Sequence, residues 1–269
     1  ADAGVADLFD RRGEHPDLAR AKLCDVLHGG AQHGQLVDAV FGTGLHHLDL
    51  VALFDHPVDD ADHDDARIAR EALDAIRAGA ASLAMQPVVD AETPGRVLFR
   101  EALIRLTRPS GEIVPAGRFM PALDKLGVAG EADIAVLNMA SESLAKAPSA
   151  RISVNLSAAG LSRAGWRGAF MTMADRSPDL AERLIVEISE ETALTDISAA
   201  AELFMQLRVR GVSLALDDFG AGRTSIQHLR DFRFDMLKID GGFIKGIDAS
   251  PDNQMLVTAL AGIARQFDM

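Results

Sequence analysis

Val97-Leu98-Phe99-Arg100-Glu101-Ala102-Leu103-Ile104-Arg105-Leu106 reads as a β-strand, rich in aliphatic and aromatic side chains and free of glycine and proline. Further β-like runs occur at 83–89, which contains Pro87, and at 151–156, 183–188, 212–217 and 235–239. Around and between them, amphipathic stretches predict helices at 65–80, 118–126, 131–146, 161–175, 194–209, 224–231 and 252–267. The first of these, DARIAREALDAIRAGA, sets Ile68, Leu73 and Ile76 among charges and ends at Gly79. Strands alternating with helices predict an α/β fold with a largely parallel sheet.

The predicted strands share a chemical feature. Glu101 lies within the second, and Asn155, Glu187, the pair Asp217–Asp218 and Lys238 lie at or just before the ends of later ones. If the sheet curls into a (β/α) barrel, such positions converge on one mouth, where active sites are built. Carboxylates and an amide oxygen gathered there repel one another unless cations sit between them, and oxygen donors select Mg²⁺ or Mn²⁺. Adjacent aspartates on a strand normally face opposite ways. A turn starting at Asp218, eased by the glycines of DDFGAG (217–222), re-aims the second and lets the pair hold two cations.

Composition narrows the classes of function. The 269 residues are 48% hydrophobic and 25% charged, as expected of a globular chain. The net charge of −13 is concentrated at the front, where residues 1–65 carry fourteen acidic and four basic side chains. No basic stripe suits a DNA or RNA polymer. No apolar run approaches the roughly 20 residues that span a bilayer. The single cysteine, Cys24, fits a reducing compartment, and the expected location is cytoplasmic. Seven of the eight histidines fall within 1–64, a segment without sustained periodicity that is left unassigned, as a linker or an appended remnant. Cys24, His28, His46 and His47 lack the usual zinc-ligand spacing and are read as structural.

The motifs resemble, in order, those of the EAL-domain family of cyclic di-GMP phosphodiesterases. Glu101-Ala102-Leu103 with Ile104-Arg105 is similar to its signature. MQPVVD (85–90) resembles the opening Gln-Pro strand, and VNLS (154–157) the asparagine motif. EISE (187–190), DDFGAGRTS (217–225) and LKID (237–240) resemble its Glu-x-Thr-Glu motif, double-aspartate loop and lysine strand. The likeness covers 65–269. A second Glu-Ala-Leu, at 71–73, falls in the first predicted helix, where Glu71 reads as a solvated surface carboxylate.

The resemblance implies a TIM-like (β/α)8 barrel and hydrolysis of cyclic di-GMP to linear pGpG by a two-metal site. Glu101, Asn155, Glu187, Asp217 and Asp218 would hold Mg²⁺ or Mn²⁺, and Asp217 would bridge. Ca²⁺ is expected to inhibit. Lys238 would act at the scissile phosphate with Glu101 and Asp217, while Arg105 and Gln86 would bind the dinucleotide and Glu190 would fix the DDFGAG loop. Departures are Met85 for Tyr, Ser189 for Thr, and Arg223-Thr224 for Tyr-Ser. The family pattern continues past Met269 with a glutamate-bearing seventh strand and an eighth, so the expectation is a barrel truncated after about six strands. Its edges would be open beside strands one and six, with poor stability and impaired turnover. A non-catalytic cyclic di-GMP receptor is the alternative, and homodimerisation through the loop region stays open.

Overall fold

The computed structural model describes residues 60–220, 229 and 232–269. The segment 1–59, Cys24, residues 221–228 and most of the helix expected at 224–231, with His228, lie outside the described residues. Helix α1 (Asp60–Arg77) leads into β1 (Ala81–Val89), β2 (Val97–Thr107) and a short β3 (Ile113–Pro115). Helices α2 (Met120–Lys125) and α3 (Gly130–Lys146) precede β4 (Ile152–Asn155). Three helices come next, α4 (Ala158–Ser162), α5 (Ala164–Arg176) and α6 (Pro178–Arg183), then β5 (Leu184–Ser189). After α7 (Glu190–Thr195) and α8 (Ile197–Val209) come β6 (Ser213–Phe219), β7 (Met236–Ile239), α9 (Gly241–Ile244) and α10 (Pro251–Gln266).

The strands form one mixed sheet in the order β1-β2-β4-β5-β6-β7, with β3 added against β2. From β2 to β7 along this path the pairings are parallel, whereas β1 and β3 both run antiparallel to β2. The six expected strands are all present, and β7 is the sixth of them. The sheet does not close among the described residues, so β1 and β7 are its edges, as the open-barrel expectation required. Strand β3 was not expected, because three residues show too little alternation to register. The helix expected over 161–175 is two helices that meet at Arg163, whose extended backbone breaks the turn.

Alternation sorts the sheet into two faces. Ala102, Ile104, Ile152, Val154, Val186, Ile188, Leu214 and Leu216 pack against the helices in the main core. The opposite face carries a separate cluster of Val88, Phe99, Ile185, Ala215 and Met236. Helix α3 buries Ala132, Ala135 and Ala140, whose small side chains let it lie close to the strands. Its C-terminus is closed by Arg183, whose Nη1 donates to the carbonyls of Leu144 (3.0 Å), Ala147 (3.0 Å) and Ala150 (3.2 Å). The Leu144 and Ala147 carbonyls also accept from the N–H groups of Ala147 (3.3 Å) and Ala150 (3.0 Å), so Arg183 reinforces this end, where its positive charge meets the negative end of the helix dipole. Arg183→Met is expected to lower the unfolding free energy by about 2 kcal/mol, the scale of a hydrogen bond to a charged group, as measured by urea denaturation.

Candidate active site

One step further along the face that bears Val88, Phe99, Ile185, Ala215 and Met236, the residues become polar. Two positions from these apolar side chains, and therefore pointing the same way, stand Gln86, Glu101, Glu187, Asp217 and Lys238; Asn155 stands likewise above Ser153. Registers stack them into a staggered layer: Gln86 is opposite Glu101, Glu101 opposite Ser153, Asn155 opposite Glu187, and Glu187 opposite Ala215. The stagger reflects the shear of tilted strands. Glu101 sits fifth in an eleven-residue strand, within it as expected. Pairing with β1 and β3 carries β2 well past the site.

Carboxylate oxygens of Glu101, Glu187 and Asp217 lie within 4.8 Å of one another. Lys238 Nζ is set among them, donating to Asp217 Oδ2 (2.9 Å), Glu101 Oε2 (3.3 Å) and Glu187 Oε2. Asn155 Nδ2 donates to Glu101 Oε1 at 3.2 Å. Burial disfavours a charged Lys238, but the three carboxylates outweigh it and hold its pKa above the ordinary lysine value. Burial pushes Glu187 up, to about 7, against the pull of Lys238 and with help from Glu101 and Asp217. Glu187 Oε1 and Ser153 Oγ are buried with no hydrogen-bond partner among the described residues. A fully buried carboxylate oxygen left unsatisfied is costly. The all-oxygen donor set and this orphaned atom fit a hard divalent cation.

Asp218 does not belong to that tight group. Its φ of 54° and the register irregularity between Leu216 and Phe219 mark a bulge that turns its side chain outward, while its N–H donates to Asp217 Oδ1 at 3.0 Å. The turn expected at Asp218 is therefore present. Burial, Asp217 and Asp240 raise its pKa, opposed by Lys238. Asp240 has no part in the sequence-based site, although its place two residues beyond Lys238 is a readable signal. Glu190 Oε2 accepts from Gly220 N–H at 3.3 Å, at the start of the DDFGAG turn. Arg105, half-buried, donates to the Ile104 carbonyl at 3.0 Å and forms no ion pair among the described residues; burial depresses its pKa. Glu71 stands exposed on α1 and accepts from Arg67 at 2.9 Å, as a surface carboxylate does.

A cleft of about 740 Å³ opens beside the cluster, walled by Asn155, Ser157, Arg163, Asp133, Asp217 and Asp218. Sequence reasoning missed Asp133. Like Glu131, it stands in the first turn of an alanine-rich helix, where acids look solvated, yet it is buried and accepts from Ser157 Oγ (2.6 Å) and Ser157 N–H (3.1 Å). Burial raises its pKa from 3.8 to about 7; the Ser157 bonds pull it down and Asp124 pushes it up.

Comparison with known proteins agrees with this geometry. The sequence profile of the EAL domain matches residues 69–269, and the chain belongs to that family. Its open α/β sheet is that of an EAL-type barrel. Among curated relatives, the cyclic di-GMP phosphodiesterase PdeF of Escherichia coli K12 is 29% identical over 176 residues, 64% of this chain and 24% of PdeF. MucR of Pseudomonas aeruginosa, a bifunctional diguanylate cyclase/cyclic di-GMP phosphodiesterase, is 29% identical over 180 residues, 65% of this chain and 26% of MucR. The chain thus spans about a quarter of the length of these relatives. The PaMucR phosphodiesterase in complex with c-di-GMP superposes with a TM-score of 0.68 at 28% identity, covering 76% of this chain and 84% of that one. The Pseudomonas aeruginosa FimX EAL domain bound to c-di-GMP gives 0.65 at 25% identity, covering 76% and 82%.

Removing the ammonium leaves three crowded carboxylates uncompensated. Lys238→Met is expected to cost about 3–5 kcal/mol in chelator at neutral pH, and Mn²⁺ should raise the melting temperature of the variant more than that of the wild type. A thermal-shift titration reads both effects. For Asp133, the folded chain binds more protons than the unfolded chain between 3.8 and about 7, so its contribution to stability falls as pH rises through that window and stays low above it. Asp133→Asn cannot titrate, and the stability of the wild type relative to this variant should decline from about pH 4 to about pH 7 in urea denaturation.

Proposed function

We propose that residues 65–269 form a domain that hydrolyses one phosphodiester of cyclic di-GMP to give linear pGpG. The observation that carries this reading is the layer of Glu101, Asn155, Glu187, Asp217 and Lys238 on one face of the sheet, beside a cleft. Glu101, Asn155, Glu187, Asp217 and Asp218 would hold two Mg²⁺ or Mn²⁺ ions. Such ions, when bound, lower the pKa of water and neutralise charge on a phosphodiester.

The chain's own groups supply the rest. Lys238 places a fixed positive charge where the scissile phosphate and the attacking water meet, within reach of Glu101 and Asp217. Arg105 shares the face of Glu101, has lost hydration and has no carboxylate partner among the described residues, so it is a ready fork for a second phosphate. Gln86, across from Glu101, orients the ligand from the edge strand. Glu190 holds the Gly220 N–H and with it the turn that presents Asp218. The working compartment under this reading is the cytoplasm, with the free dinucleotide as ligand.

Release of pGpG from cyclic di-GMP in Mg²⁺ or Mn²⁺ tests the reading, on this chain and on any longer product of the same reading frame. Asp217→Asn should lower the rate by more than about 100-fold, the upper end of what losing even an outer partner of a metal ligand costs. Ca²⁺ should bind without supporting turnover. A second reading is a receptor that binds the ligand without hydrolysing it; the FimX EAL domain, 25% identical, is bound to c-di-GMP in its solved structure. Micromolar binding unaffected by chelator, with no pGpG from either chain, selects the receptor and rejects the enzyme.

A further inference from the structure

Asn155 is the last residue of β4, and the turn after it is pinned on two sides. Leu156 N–H donates to the Glu187 carbonyl at 2.9 Å, which ties the turn to β5. Ser157 is tied to α3, since its N–H and its hydroxyl both donate to Asp133 Oδ2. The same hydroxyl accepts from Gly160 N–H at 3.0 Å and so caps α4. Asp133 reaches this point because residue 160 is glycine: a Cβ there would stand 2.2 Å from Asp133 Oδ2 and 2.7 Å from Leu156 Cδ1. Helix α3 and the β4–α4 turn therefore meet at a carboxyl group that is almost wholly buried. No part of the proposed chemistry uses it.

We propose that Asp133 is a positioning residue: acting through Ser157, it fixes the β4–α4 turn that presents Asn155 to the carboxylate cluster, and cation affinity at that cluster depends on it. The inference rests on reading Asn155 as a metal ligand. Asp133 itself touches neither the cluster nor Lys238 by any hydrogen bond among the described residues. Without the acceptor, the Ser157 N–H and hydroxyl lose their shared anchor, and Asn155 is left with its strand pairing to β5 and its bond to Glu101, with its following turn untied from α3.

The test uses the full chain and Mn²⁺ alone, titrated calorimetrically, with folding followed by circular dichroism. Asp133→Ala should weaken Mn²⁺ binding by about tenfold, the scale for partners that orient a metal ligand. Asp133→Asn keeps an oxygen acceptor and should bind within about twofold of wild type. Phe170→Leu, in the core and outside the cleft, controls for lost stability and should also leave the affinity within about twofold. A folded Asp133→Ala with wild-type affinity overturns the proposal, as does an equal loss in the Phe170 control. Should Asp133→Ala fail to fold, Ser157→Ala decides: a loss of about threefold supports the proposal, and unchanged affinity rejects it. A wild-type chain that binds no Mn²⁺ rejects the metal-site reading and this inference together. Wild-type binding with no effect of either variant rejects this inference alone.

Discussion

Three carboxylates converge on one buried ammonium, and much of the domain exists to hold them there. Like charges brought to within hydrogen-bonding reach of a common centre repel, and burial removes the water that would screen them. Lys238 offsets part of that cost by donating to Glu101, Glu187 and Asp217 at once. The compensation is incomplete. Glu187 keeps an oxygen with no partner among the described residues and a pKa raised by its burial. An unfilled demand for positive charge is what a divalent cation would answer under the proposed function.

The sheet supplies the geometry through a rule with no chemical content. Side chains alternate, so a strand that buries Ile185 or Met236 on the inner face must direct Glu187 or Lys238 the same way. The apolar layer of Val88, Phe99, Ile185, Ala215 and Met236 acts as a floor, and the charged layer stands on it. Outer-face residues such as Val154 and Leu216 anchor the strands to the helices, which prevents a register slip that would exchange the two layers. Asp218 escapes the alternation by a bulge with positive φ, and both consecutive acids line the cleft.

Two further carboxylates hold turns beside the cluster. Glu190 grips Gly220, and Asp133 grips Ser157. In both cases a carboxylate satisfies a backbone N–H at the start of a turn that carries a site residue. The glycines at 160 and 220 make room for close approach: added Cβ atoms would collide with Asp133 and with Phe243 at 2.9 Å, respectively.

The amino-acid sequence by itself determined the six expected strands and the α/β class, and it marked Glu101, Asn155, Glu187, Asp217 and Lys238 as candidates. Local alternation, turn residues and an ordered set of motifs survive without three-dimensional context. It also separated the two Glu-Ala-Leu tripeptides, because helical periodicity around Glu71 differs from strand periodicity around Glu101. Only the tertiary structure decided that β1 and β3 run antiparallel to β2, and that Asp133 and Asp240 belong to the site's surroundings. Pairing direction, and the burial of one acid in an otherwise ordinary helix, are set by contacts between residues far apart in the chain. No local pattern records those contacts.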